Sequence, residues 1–349
     1  MNRHEGYMQR CLDLAQKGLG SVSPNPMVGA VLVYNDIIIG EGYHEEYGSG
    51  HAEVNCIRSV RDEHKSYIKH STLYISLEPC NHFGKTPPCT ELIIQNEIKK
   101  VVVACVDPFE KVNGSGITML RNAGVEVITG VLEKKAIALN KRFFVYHNNK
   151  RPYVILKWAQ SSNGYIADDN MTSIKISNKF TDRLVHKWRS EEDAIMVGTN
   201  TVMIDNPLLT TRLWPGKNPI RIAVDQKLKL NPDSKIFDSS ATTFIFNSSV
   251  QKVERETHFI KYNQDHGIIN QLNAILYQRG IASLIVEGGA TLINSFLKEG
   301  VWDEARVIVN QTMSINYGLK APQLPNYVVS KKENIFNDEI RYVRPHLYQ

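Results

Sequence analysis

Apolar and polar positions run along this chain in two successive series of short blocks, and each series alternates the helical period with the extended one. The first opens with apolar positions at helical spacing over Tyr7 to Lys17. Two apolar runs follow, Val28 to Tyr34 and Ile37 to Gly40, and their junction at Asn35-Asp36 predicts a hairpin. The pattern then predicts a helix from about His51, a strand from Thr72 to Leu77, a helix from about Pro88 to Gln95 and a strand from Lys100 to Val106. A helix over Ile117 to Asn122 and a strand over Val125 to Ile128 complete the series, with Gly124 as the cap between them. Residues 140–152 are polar and end in Pro152, which reads as a connector with a domain boundary near residue 148.

The alternation restarts beyond that point. Strands are expected at Tyr153 to Lys157, Ala194 to Gly198, Ile220 to Asp225, Thr243 to Phe246, Ser283 to Glu287 and Glu304 to Val309, and helices at Lys179 to Ser190, Ile269 to Gln278 and Leu292 to Lys298. Segments 247–266 and 311–340 carry no clear period and read as irregular. The expectation is therefore two α/β domains, residues 1–147 and 148–349.

Composition narrows the class. The chain's 349 residues suffice for two cores, and an apolar share of 42% excludes a disordered or low-complexity protein. No run of apolar residues approaches the length of a membrane span, and Met1 to Arg10 is polar, so the expected location is the cytoplasm. Lys and Arg balance Asp and Glu at 16 each over residues 1–147 but exceed them by 25 to 20 over 148–349, so the whole net charge of +5 lies in the second half. Such an excess suits a phosphorylated small molecule, and without a basic cluster it does not predict a nucleic-acid partner. Five cysteines, an odd number, argue against a disulfide framework and leave metal ligation, catalysis or burial.

Spacing decides among these. His51-Ala52-Glu53 is followed by Pro79-Cys80 and, after eight intervening residues, by Cys89. One imidazole and two thiolates make three protein ligands for a tetrahedral zinc, and the open fourth position is the condition for activating a water. Glu53 sits near a helix start, close enough to shuttle that water's proton without joining the ligand set. A His-x-Glu followed by Pro-Cys, a second Cys and a non-ligand Glu is the signature of zinc nucleobase deaminases. The insert between the cysteines holds His82 and Lys85, both able to grip an anion, while Gly84 and Pro87-Pro88 fix the loop's shape. Cys11, Cys56 and Cys105 read as small buried residues, and His44 as a surface histidine in preference to one flanking the site.

Ser23-Pro24-Asn25-Pro26-Met27-Val28-Gly29-Ala30, Gly40-Glu41-Gly42-Tyr43-His44, His51-Ala52-Glu53-Val54 and the run Glu78 to Cys89 occur in that order. Together they resemble the deaminase half of the bifunctional riboflavin-biosynthesis deaminase/reductase family, whose long insert between the cysteines separates it from cytidine and tRNA deaminases. The resemblance implies zinc on His51, Cys80 and Cys89, Glu53 as proton donor, and Asn25, His82, Lys85 and Asp107 around the substrate. Asp107-Pro108-Phe109-Glu110 stands where many members read Asp-Pro-Asn-Pro.

No strand-linked Gly-x-Gly-x-x-Gly occurs, which argues against an ordinary Rossmann site; Gly114-Ser115-Gly116 has no third glycine and follows an irregular loop. Two stretches still suit phosphate groups: Val197 to Val202 running into Asp205 to Arg212, and Val286-Glu287-Gly288-Gly289-Ala290-Thr291-Leu292, where paired glycines end a strand as a helix begins. With Leu156-Lys157 and Ser161-Ser162-Asn163-Gly164 they resemble the reductase half of the same family, which implies a dihydrofolate-reductase-like fold beside a cytidine-deaminase-like one, and NADPH as cofactor. Carried across, Ser173, Arg189, Leu209, Arg212 and Glu287 face a phosphoribosyl substrate, with Arg189 and Arg212 as phosphate clamps. Gln160, Lys175, Thr201, Asp205, Gly288, Gly289 and Thr291 face NADPH. Lys175 replaces an aromatic residue, Gln226 a serine and Asn163 an aspartate, and Lys175 is available to pair with the cofactor's phosphate. The resemblance thus implies hydrolytic deamination of a diaminopyrimidinone ribosyl phosphate followed by reduction of its ribosyl group, in a homodimer or tetramer with no nucleic-acid or membrane partner. The competing reading is a nucleoside or RNA deaminase whose C-terminal module only binds or dimerises.

Overall fold

The computed structural model describes residues 3–81, 83, 87–110, 112–169, 174–265 and 267–346. It divides into two compact units, Met1–Lys150 and Arg151–Gln349. Of the candidate site residues, His82, Lys85 and Ser173 lie outside the described residues.

The first unit comprises α1 (Arg3–Ala15), β1 (Gly29–Tyr34), β2 (Ile37–Tyr43), α2 (Ala52–Arg58), β3 (Thr72–Ile75), α3 (Cys89–Gln95), β4 (Lys100–Val103), α4 (Ser115–Asn122), β5 (Glu126–Thr129), α5 (Glu133–Leu139) and α6 (Lys141–Asn149). Its sheet runs β2-β1-β3-β4-β5, with β1 antiparallel to both neighbours and β3, β4 and β5 parallel. Asn35 and Asp36 both take positive φ (44° and 67°), the geometry of a two-residue turn whose twist matches its strands. Because both faces are covered, the central strands β1, β3 and β4 are largely apolar and sort by parity. Leu32, Leu73, Ile75, Val101 and Val103 pack with Cys56 of α2 and Ile93 of α3, whereas Val31, Val33, Tyr74 and Val102 pack with Met8 of α1 and Phe143 of α6.

Residues 141–149 are helical, not the connector expected there. Phe143 repeats toward Tyr146 and His147 at helical spacing, and burying Phe143 against the sheet outweighs the polar character of the rest. The helix stops at Lys150, which takes a left-handed backbone just before the Arg151-Pro152 pair.

The second unit contains β6 (Tyr153–Ser161), β7 (Tyr165–Asp168), α7 (Lys179–Glu191), β8 (Ala194–Gly198), α8 (Thr199–Asp205), β9 (Ile220–Val224), β10 (Thr243–Asn247), β11 (Lys252–Glu254), β12 (Thr257–Lys261), α9 (Ile268–Gln278), β13 (Ser283–Glu287), α10 (Ala290–Lys298), β14 (Glu304–Asn310), β15 (Gly318–Lys320), β16 (Tyr327–Ile335) and β17 (Asp338–Pro345). Ten strands form one sheet in the order β11-β12-β10-β9-β8-β13-β6-β14-β17-β16, and β15 pairs with β7 apart from it. The strands from β12 to β14 pair in parallel, and the antiparallel strands lie at the ends. Segments 247–266 and 311–340 therefore hold strands where none were expected. β11 and β16 are almost wholly exposed, so no buried face imposes an apolar alternation on them; their ladder partners make them strands.

Candidate active sites

In the first unit α2 and α3 bring their N-terminal ends toward one point. His51 is the residue before α2, Glu53 lies in its first turn, and Cys89 opens α3. Cys80 stands on the loop after β3, where its carbonyl accepts from the Thr90 N–H and its sulfur from the Cys89 N–H at 3.4 Å. The Sγ atoms of Cys80 and Cys89 lie 3.5 and 3.3 Å from His51 Nδ1, and the three donor atoms all fall within 4.8 Å of one another. Among the described residues one imidazole nitrogen and two sulfurs converge without a fourth protein ligand, the donor set of a catalytic zinc, so the residues present fit that ion. Cys89 and His51 beside it draw the Cys80 thiol down toward thiolate, while the Cys89 thiol is pushed up by Cys80 and by burial.

Glu78, just before this loop, acts as a structural anchor. Its Oε2 accepts from the Asp107 and Gly114 N–H groups and its Oε1 from those of Gly116 and Ile117, which pins the start of α4 against Pro79-Cys80. A Cβ on Gly116 would lie 2.1 Å from the Pro79 carbonyl, so Gly114-Ser115-Gly116 serves close packing here. Cys11 and Cys105 are buried and donate to the Tyr74 and Ser76 carbonyls, and Cys56 is buried in the core, as their apolar surroundings suggested.

A cavity of about 410 Å³ opens over His51 and Cys80, lined also by Asn25, His44, Glu53, Glu78, Asp107, Phe109, Tyr146 and His147. His44 is buried, not at the surface, because β2 continues to Tyr43 and carries the next residue inward. Its Nδ1 lies 3.2 Å from the Gly50 carbonyl and its Nε2 3.2 Å from Asn25 Nδ2, and its ring meets that of His51 edge-on at 5.4 Å. Burial holds His44 toward the neutral form, with Nδ1–H donating to Gly50 and Nε2 accepting from Asn25. Phe109 and His147 pack together at 4.9 Å, so the departure from Asp-Pro-Asn-Pro places an aromatic ring in the wall. Tyr146 and His147 were missed with α6; the spacing of Phe143 and His147 was the available signal.

Burial pushes the Glu53 carboxyl up, against the pull of His51, and pushes Asp107 to about 7 despite its bond from the Phe109 N–H. Between its ordinary range near 4 and about 7, Asp107 holds a proton in the folded chain that the unfolded chain has released. Stability accordingly falls as pH rises through that window. Asp107→Asn should flatten this part of the profile. Thermal melts of both proteins from pH 4 to 8 would show parallel curves if the assignment were wrong.

In the second unit a cavity of about 640 Å³ is lined among others by Gly198, Thr201, Asp205, Gln226, Gly289, Thr291 and Leu319. The expected strand-to-helix junctions form two of its walls, β8 into α8 and β13 into α10. Gly288 and Gly289 have φ of 79° and 70°, and a Cβ on either would come within 3.2 Å of Thr201. Only a bare backbone keeps this wall open, which fits close approach by a flat, phosphate-bearing cofactor.

Beside this wall, at the end of β13, buried Glu287 accepts from Arg189 Nε and Nη2 at 2.9 and 2.8 Å and from Lys157 Nζ at 3.5 Å; the parallel register sets Lys157 directly opposite. Burial alone would raise the carboxyl, but the two cations overrule it and hold Glu287 at about 2. Arg189 also donates to the Thr210 carbonyl at 3.2 Å. Its guanidinium fork is therefore engaged by Glu287 and does not stand as an open phosphate clamp. Arg212 is exposed, while Leu209 is buried with a left-handed backbone (φ 56°), a costly conformation for so bulky a residue.

Two cofactor expectations differ from what is found. Lys175 pairs with Asp182 at 2.8 Å, and Gln160 accepts from Trp158 Nε1 at 2.8 Å; neither lines the cavity. Asn163 donates to the Ile315 carbonyl and accepts from the Ile315 N–H, a pairing an aspartate could not complete. Among the described residues, no helix is long and apolar enough to cross a membrane.

Residues 1–105 match the family described as the cytidine and deoxycytidylate deaminase zinc-binding region, and residues 152–313 match the RibD C-terminal domain. Over 97% of its length the chain is 38% identical to the riboflavin biosynthesis protein RibD of Aquifex aeolicus, covering 98% of that protein. It is 41% identical to RibD of Bacillus amyloliquefaciens, over 86% of this chain and 82% of that one. A crystal structure from Thermotoga maritima, described as a diaminohydroxyphosphoribosylaminopyrimidine deaminase/5-amino-6-(5-phosphoribosylamino)uracil reductase, superposes with a TM-score of 0.89 at 37% identity, covering 98% of each chain.

Proposed function

This chain belongs to the RibD family, the bifunctional deaminase/reductases of riboflavin biosynthesis, and from that premise we propose how its two cavities divide the work. The first unit carries a zinc-binding deaminase domain and the second a reductase domain. The observation that carries the reading is the convergence of His51, Cys80 and Cys89 beneath a cavity into which buried Glu53 also faces.

His51, Cys80 and Cys89 would hold zinc, which when bound supplies Lewis-acid activation of a water. Glu53 takes the proton of the attacking water at its carboxylate and passes it to the pyrimidine amine, so that the C–O bond forms as the C–N bond breaks and ammonia leaves. Its raised affinity for a proton suits both halves of that transfer. Asn25, oriented by neutral His44, and Asp107 position the pyrimidine, with His82 and Lys85 of the insert assigned to its anionic end.

In the second unit Thr201, Asp205, Gly288, Gly289 and Thr291 would hold NADPH, which when bound supplies the hydride that converts the opened ribosyl group to ribityl. Glu287, kept ionised by Arg189 and Lys157, offers carboxylate oxygens to substrate hydroxyls, and Arg212 lies ready for its phosphate.

Mass spectrometry of 2,5-diamino-6-(5-phosphoribosylamino)pyrimidin-4-one incubated with the zinc-loaded protein tests both halves. The amine-to-carbonyl change is expected without NADPH, and a gain of two hydrogens only with it. Deamination of cytidine or RNA in its place, with no consumption of NADPH, would overturn the reading.

A further inference from the structure

A second cavity of about 240 Å³ in the reductase unit shares Thr199, Asn200 and Gln226 with the large cleft and extends beyond it to Asp225, Lys227 and Lys229. The turn after β9 that forms it is pinned on both sides. Buried Asp225 accepts from the Lys229 and Leu230 N–H groups at 3.0 and 2.9 Å, so both its oxygens shape the turn. The Gln226 carbonyl accepts from the Ser248 N–H and hydroxyl, which ties the turn to the end of β10. What the turn leaves exposed are the side chains of Gln226, Lys227 and Lys229.

Several other lysines of this unit have a carboxylate partner: Lys157 with Glu287, Lys175 with Asp182, Lys187 with Glu191 and Lys252 with Glu254. Among the described residues neither Lys227 nor Lys229 forms an ion pair. Two uncommitted ammonium groups on a rigid turn, in a side chamber of a cofactor-sized cleft, make a seat for a dianionic phosphate monoester attached to whatever occupies that cleft.

We propose that this side cavity receives the additional phosphate that distinguishes NADPH from NADH, and that Lys227 and Lys229 set the preference between them. This rests on the reading of the large cleft as the dinucleotide site. It also transfers the phosphate contact from Lys175, which Asp182 engages, to a turn on the cleft's own wall.

Isothermal titration of the full-length protein with NADPH, NADH and adenosine 2′-monophosphate tests it by binding alone. The wild type should bind NADPH more tightly than NADH and should bind the monophosphate. In a Lys227→Gln/Lys229→Gln variant with an unchanged thermal melt, NADPH affinity should fall by about tenfold or more while NADH affinity stays put, the scale expected for losing charge-assisted bonds to phosphate. The NADPH preference should narrow with added salt and return in Lys227→Arg/Lys229→Arg. A variant that keeps the wild-type preference, or loses both dinucleotides equally, would show the lysines to be a solvated turn and overturn the assignment. A wild type that binds both dinucleotides equally would do the same while leaving the cleft's reading intact. A wild type that binds neither would bring down that reading and this assignment with it.

Discussion

Glu53→Gln should slow deamination by about 10²–10⁴-fold while zinc content stays at the wild-type level, the range expected for removing a positioned proton-transfer group. The separation of the two effects follows from placement. Glu53 lies in the first turn of α2, buried, two residues from His51 but outside the set of three converging donors. Glutamine has nearly the same shape, so it preserves the packing of the helix start; what it loses is the ability to hold and return a proton. Cys80→Ser should behave differently, losing metal and activity together, because it removes one of three ligands. Reduction of separately supplied deaminated substrate should be unaffected by Glu53→Gln, since that chemistry belongs to the other unit. Steady-state rates alongside elemental analysis of the purified variants make the comparison. Full activity in Glu53→Gln, or loss of zinc from it, would remove Glu53 from the proton-transfer role.

The second large effect is on stability. Arg189→Leu should destabilise the reductase unit by about 3–5 kcal/mol, because it leaves a buried carboxylate with only the more distant Lys157 for company. Glu287 owes its low proton affinity to Arg189 first and Lys157 second, acting against burial. In the wild type this stabilisation is present above the ordinary glutamate range and is lost as pH falls through it toward about 2. In Arg189→Leu burial acts with one opponent removed, the carboxyl regains its proton at higher pH, and the deficit relative to wild type should shrink as the solution is acidified. A paired Arg189→Leu/Glu287→Leu variant should recover part of the loss, since it removes the stranded carboxylate, while Lys157, left without its partner, keeps the recovery incomplete. All four tryptophans, Trp158, Trp188, Trp214 and Trp302, lie in the second unit, so urea unfolding followed by their fluorescence reports on it alone. A single variant as stable as the wild type at neutral pH would mean that the pair contributes little.

The Arg189–Glu287 pair also shows where reading the chain from its residues ran out. Arg189 on a helix and Glu287 at a strand end each face substrate in the resemblance the sequence carries. Nothing local indicated that they face one another across 98 positions. Lys175 and Gln160 went the same way, satisfied by Asp182 and Trp158. The converse occurred at β2 and α6. His44 lies four residues past the expected strand end, and Tyr146 and His147 lie in a stretch that reads as a connector, yet all three line the deaminase cavity.

What the sequence determined by itself is whatever chemistry or period is local. The hairpin at Asn35-Asp36 follows from two residues that tolerate positive φ. The buried strands follow from unbroken apolar runs, and the candidate metal site from three donor residues whose types and order few other functions require. Only the tertiary structure decided which polar side chains satisfy one another, which segments of weak period become strands at a sheet's exposed ends, and which helix closes the wall of a site. The physical reason is that periodicity records whether a residue faces a core, whereas a buried charge or an edge strand takes its state from a partner remote in the chain. The identity of that partner is fixed only when the sheet register brings the two together.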